Sequence, residues 1–251
     1  MRYEIQGGSF PVVTCYLDNG EQMINESGSM VWMSPNIRMD TKGGGLGKMF
    51  AKALAGENMF RNIYTADGAG MITFGSSFPG EIKAIEIAPG QEMIVQKSAF
   101  LAAERGVNLT VHFSKRLGTG LFGGEGFIMQ RLTGDGVVFL NAGGTIVKKT
   151  LAPGETIKMD TGCLVAMSAT VNYDVQIQND IKNGFLGGEG VFIATLTGPG
   201  EVWMQSLPFS RMADAIIKAS RYSTGDSGSF NNPLNEVGSS LESALGGLFK
   251  F

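Results

Sequence analysis

The sequence predicts an all-β protein: three tandem copies of a β unit of roughly 65 residues, with a helix and a tail after the third copy. Three observations predict it. The segment Ile87–Ala142 matches Leu151–Ser206 without a gap at a constant offset of 64, and 17 of 56 positions are identical. The chain carries 37 glycines in 251 residues, about twice the usual share, which demands many tight turns. Between those turns lie short runs that alternate apolar with polar at a spacing of about 8–12 residues, the pattern of a sandwich or barrel rather than of parallel βαβ units.

The identities fall in blocks at turns. Ala88-Pro89-Gly90 repeats as Ala152-Pro153-Gly154, Gly123-Gly124-Glu125-Gly126 as Gly187-Gly188-Glu189-Gly190, and Leu132-Thr133-Gly134 as Leu196-Thr197-Gly198. Glycine supplies backbone angles that other residues adopt at a cost, whereas the apolar positions between turns need only a suitable size. A more diverged copy opens the chain, with Asp18-Asn19-Gly20 in place of the Ala-Pro-Gly turn and an offset of 70 to Gly90. The copies are expected at 1–79, 80–143 and 144–210. Thr156–Asp160, Val171–Ile177 and Glu201–Gln205 alternate with period two and read as half-buried strands.

After the third copy, Pro208-Phe209-Ser210 is a helix start signal, and Met212, Ile216 and Ile217 ahead of Lys218 and Arg221 predict a helix over 211–221 that packs back on the β body. Residues 222–251 read as a Gly/Ser/Asn-rich linker and an amphipathic tail. Charged residues are 17% of the chain and the net charge is −3, so no global field draws in nucleic acid, and no nucleic-acid partner is expected. Cys15 and Cys163 occupy non-equivalent places, which predicts no disulfide framework and a reducing compartment. No run approaches eighteen apolar residues and the N-terminus has no apolar leader core, so the expected location is cytoplasmic, with peripheral membrane contact as the finer reading.

Taken together, Gly184–Gly190, Leu196–Trp203 and Ser206-Leu207-Pro208-Phe209-Ser210 resemble the "altered inheritance of mitochondria" 24 family over roughly residues 1–220. The resemblance implies a fold like that of the tryptophan RNA-binding attenuator protein, a short β-sandwich related to the double-stranded β-helix, triplicated with pseudo-threefold symmetry. It implies no biochemical activity. The fungal mitochondrial member is linked to inner-membrane organisation, which a bacterial relative need not share. The first copy departs from the pattern, with Ala55-Gly56-Glu57-Asn58 where the others carry Gly-Gly-Glu-Gly.

Candidate sites follow from the repeats. The loops bearing Leu121-Phe122 and Phe185-Leu186 set large apolar residues between glycines, with Gly43–Phe50 as the third. Two readings stand: an exposed apolar apex for a partner or membrane, or loops folded inward to close each sandwich. Glu125 and Glu189, with Glu57, could meet about an axis and hold a hard cation, but a glutamate in a Gly-rich turn more often accepts backbone N–H bonds, so no metal and no cofactor is assigned. In the tail, Leu234, Val237, Leu241, Leu245 and Leu248 recur at helical spacing and Phe249 follows, a stripe that fits a protein groove, a neighbouring subunit or the chain's own body. Its polar face carries glutamate and serine rather than lysine, which disfavours an anionic bilayer.

Catalysis has little to work with. His112 is the single histidine, its counterpart in the third copy is Gln176, and no Cys-x-x-Cys or phosphate-loop ending occurs. The expectation is a non-enzymatic scaffold with protein partners or self-association. The alternative is a module that binds a small ligand or metal without turnover.

Overall fold

The computed structural model describes residues 1–41, 61–115, 127–178 and 191–223. Residues Met1–Met212 form one compact unit, and the chain from Ala213 onward forms a second. The first unit is an antiparallel all-β sandwich. A lead strand, β1 (Arg2–Gln6), precedes β2 (Val12–Leu17), β3 (Gln22–Glu26), β4 (Met30–Met33), β5 (Ile37–Thr41), β6 (Arg61–Ala66) and β7 (Gly70–Gly75). The middle of the chain supplies β8 (Gly80–Ile87), β9 (Met93–Gln96), β10 (Phe100–Glu104), β11 (Val107–Lys115), β12 (Phe127–Gly134) and β13 (Gly136–Gly143). Then come β14 (Ile146–Leu151), β15 (Thr156–Asp160), β16 (Leu164–Ser168), β17 (Asn172–Gln178), β18 (Val191–Thr197) and β19 (Gly200–Gln205). One helix, α1 (Phe209–Ser223), follows, a little longer at both ends than the sequence suggests. Its first turn is held to the β unit by Phe209, whose ring lies 5.8 Å from Phe78, and by Arg211, which donates to Asp160 at 2.9 Å.

Pairing repeats along the chain with one logic. In the first stretch β7 lies between β2 and β4, in the second β13 between β8 and β10, in the third β19 between β14 and β16. Likewise β6 lies between β5 and β3, β12 between β11 and β9, and β18 between β17 and β15. A bulge recurs at equivalent places, between Met30 and Trp32, Phe100 and Ala102, and Leu164 and Ala166. The sheets therefore do not respect the sequence copies. β3 pairs with β10 and β9 with β16, so each central six-stranded sheet draws three strands from one stretch and three from the next.

Four sheets result, and three cores lie between successive ones. Val13, Cys15, Ile72 and Phe74 from the first sheet meet Met23, Tyr64 and Phe139 from the second. Phe100, Val138 and Leu140 on the second meet Val95, Leu132 and Val165 on the third. Ile94, Met129 and Met167 on the third meet Phe192, Ala194 and Leu196 on the fourth. Strand alternation explains how β13 serves two cores: Val138 and Leu140 face one side and Phe139 the other. The bulge lets Leu101 and Ala102, consecutive residues, point into the same core.

The turn glycines carry the repeat for a physical reason. Gly20, Gly90 and Gly154 all sit at φ near +80° (84°, 83° and 79°), so the three equivalent turns need the same left-handed residue. Gly136 and Gly200, at φ of 139° and 146°, add a second constraint, because a Cβ on Gly136 would lie 2.9 Å from Glu104 Oε2 and one on Gly200 2.7 Å from Val171 Cγ2.

Candidate interaction surface

The residues singled out in the sequence, Leu121, Phe122, Glu125, Phe185, Leu186 and Glu189, lie outside the described residues, as do Glu57 and the tail residues Leu241, Leu245, Leu248 and Phe249. The structure does fix where the loops are anchored. Each joins the same two strands of its stretch, and the ladder runs to the loop base in all three: Thr41 opposite Asn62, Lys115 opposite Phe127, and Gln178 opposite Val191. The anchors are braced from beneath. Phe127 is fully buried, and the ring of Phe113 meets it edge-on at 6.5 Å.

His112 sits at the bulge of β11 and is exposed, as its counterpart Gln176 is. Its Nδ1 lies 3.1 Å from the Arg131 guanidinium, which is ion-paired with Glu92. Partial burial and then the Arg131 charge push the imidazole below its usual range, and Glu92 only partly offsets them, so the ring is neutral at pH 7. The arginine, engaged by a carboxylate and beside the imidazole, makes a surface network. Nearby, the Tyr173 ring packs edge-on to Phe113 at 5.2 Å, and burial pushes its hydroxyl well above the ordinary tyrosine range.

A shallow depression of ≈ 350 Å³ lies between Met1, Glu21, Glu104, Gly106 and Asp135. The terminal amine of Met1, one of its lining residues, lies 3.4 Å from Glu21 and 3.7 Å from Glu104. Burial disfavours the ammonium, but the two carboxylates outweigh it and raise its pKa above the ordinary 8.0. Glu104 is occupied twice, since Oε2 also accepts from the Val137 N–H at 2.7 Å. These groups satisfy one another and serve the fold. Both thiols are free, and burial pushes that of Cys15 up to about 12. Among the described residues no cluster of three His, Cys, Asp or Glu side chains has the arrangement of a metal site.

Sequence reasoning missed a different surface. Val31 and Trp32 on β4 are 51% and 46% exposed, a large apolar pair at a sheet edge. Aligning the first copy to the second at the offset of 70 sets them opposite Leu101 and Ala102, which are buried, so a tryptophan standing where the other copies have alanine was the available signal.

These features define an all-β sandwich protein with equivalent hairpins in each stretch, two on the central, doubly covered sheets and one, β17–β18, on the outer fourth sheet. Among the described residues, no helix is long and apolar enough to cross a membrane. The chain belongs to the Mitochondrial biogenesis AIM24 family, whose model matches residues 3–207. It is 33% identical over 226 residues to Uncharacterized protein M6_Spy0233 of Streptococcus pyogenes serotype M6, covering 86% of this chain and 90% of that protein. It is also similar to the crystal structure of protein SPYM3_0169 from Streptococcus pyogenes, with a TM-score of 0.73 and 29% identity over 87% of this chain and 99% of that one. The streptococcal proteins support a bacterial branch of the family.

Proposed function

We propose that this protein is a non-catalytic scaffold: a β body that holds equivalent loops and a C-terminal tail for a protein partner, at times at a membrane surface in the cytoplasm. One observation carries the reading. The three hairpins that bear the Gly-flanked apolar loops spring from the same pair of strands in each stretch, with paired strands at their bases, and two of them stand on the central sheets that have a core on each face. Loops positioned by a stiff scaffold are where recognition is usually carried.

Co-purification of the full-length protein with its native neighbours, with and without detergent, tests this. Leu121→Ser/Phe122→Ser and Phe185→Ser/Leu186→Ser variants, and a chain lacking 234–251, should lose the partner while keeping the β circular-dichroism spectrum. Undiminished recovery by all three would end the scaffold reading, and so would turnover of any small substrate by the purified chain.

A further inference from the structure

The helix α1 leaves its apolar side uncovered. Steps of three and four place Phe209, Met212, Ala213, Ile216 and Ile217 along one side of it, while its four charged residues, Arg211, Asp214, Lys218 and Arg221, fall on the other. In a helix that covers a core the apolar side is the buried one. Here Ile216 is 62% exposed and Ile217 49%, so beyond the first turn the stripe has no cover among the described residues. A helix of 15 residues is marginal in water on its own propensity and normally owes its stability to a packed apolar face.

The sequence beyond α1 carries a stripe that matches it. Leu234, Val237, Leu241, Leu245 and Leu248, which lie outside the described residues, recur by the same steps of three and four over a span equal to that of α1, about 22 Å as a helix. Just ahead of them Asn232-Pro233 is a helix start signal, a capping residue followed by proline at the first helical position. The Gly/Ser/Asn-rich residues 224–233 join the two stripes, a linker long enough to reverse the chain and with a mean reach of only about 17 Å. Reversal at the middle of that linker sets Ala213 opposite Ala244, Ile216 opposite Leu241 and Ser220 opposite Val237. The same register sets Arg221 opposite Glu236, residues of opposite charge.

We propose that residues 234–248 dock antiparallel on the apolar side of α1 as a second helix, closing a helical hairpin within one chain. The occupant is the chain's own tail because the linker holds it near α1 at a millimolar effective concentration, which a second copy does not match, and because its stripe meets that of α1 residue for residue. Gly238, Gly246 and Gly247 weaken the segment as a free helix, so it holds that form only against α1. The inference goes beyond the scaffold reading, since it concerns the chain alone and needs no partner protein, and either can fail while the other stands.

Hydrogen–deuterium exchange on the full chain, without lipid or partner, tests this through reciprocal variants. In the wild type, residues 234–248 should exchange at least about tenfold more slowly than the same sequence as a free peptide. Ile216→Asp should speed exchange in 234–248, and Leu241→Asp should speed it in 213–220, each by about tenfold or more, because burying one such side chain is worth at least that factor. Ile216→Leu should keep the tail protected. Ser239→Asp, which adds the same charge on the other side of the tail, should leave both segments within about twofold. Circular dichroism checks that the β unit is intact in each variant. A tail that exchanges in the wild type as the free peptide does, or that is unmoved by Ile216→Asp, overturns the proposal. Protection that fades on dilution overturns it as well, by showing that a second copy supplies the segment, and so does protection that arises only with added lipid vesicles.

Discussion

Replacing Phe139 by alanine should weaken the whole β unit rather than one stretch of it. The side chain belongs to β13, in the middle of the sequence, yet it is fully buried in the core that the first stretch builds, with Tyr3 packed edge-on at 5.0 Å. Truncating a buried phenylalanine costs about 3–5 kcal/mol, and an aromatic pair adds about 0.5–1.5 kcal/mol, so about 4 kcal/mol is a fair figure for a partly relaxing site. With a urea slope of about 3 kcal/mol/M, the midpoint falls by about 1.3 M. The two tryptophans make the assay local. Trp32 lies on the first sheet and Trp203 packs against the middle core, so Trp203→Phe and Trp32→Phe backgrounds each leave one reporter. Both reporters should move together, because the second sheet is common to two cores. A control, Val147→Ala at a half-exposed site, should move neither by more than about 0.5 kcal/mol. A loss below about 1 kcal/mol, or a shift at Trp32 with Trp203 unmoved, would refute the shared-sheet argument.

Three other outcomes follow from the same coordinates. Burial holds the Cys15 thiol at about 12, against an ordinary value of 9.0, so its thiolate fraction at pH 8 is about a thousandfold below that of a free thiol; Ellman's reagent should titrate half-buried Cys163 first and Cys15 only after guanidinium is added. The terminal amine has a raised folded pKa, so its contribution is complete below the unfolded value of 8.0 and is lost as pH rises through the folded value; melting temperature should fall more steeply above pH 8 in the wild type than in Glu21→Gln. Gly90→Ala should cost about 1–2 kcal/mol, since the added Cβ meets open space and only the left-handed backbone is strained, whereas Gly136→Ala should cost more because Glu104 stands in the way; chemical denaturation ranks the two.

The residues that made the fold legible were those whose physics is local. Gly20, Gly90 and Gly154 announce one turn three times, and the alternation in Thr156–Asp160 announces a strand, because left-handed φ and period-two burial leave a mark in the sequence itself. The exchange of strands between stretches was not legible. That β3 seeks β10 depends on which faces meet over 72 or more residues of chain, such as Ser29 Oγ donating to the Leu101 carbonyl, and no local pattern encodes it. The candidate loops, marked by glycine-flanked apolar residues, lie outside the described residues, and the structure describes only the strand ends beside them, at Lys115 and Gln178. The edge at Trp32 was overlooked because an apolar residue in an alternating strand looks like core until its neighbours are known.

Hydrogen–deuterium exchange on the unaltered protein, read peptide by peptide, probes the sharing of strands between stretches most directly. Peptides spanning Gln22–Glu26 and Phe100–Glu104, paired across the first two stretches, should be protected alike and should lose protection together in Phe139→Ala. Fast exchange in one of the two segments while the other stays protected would contradict the shared sheet.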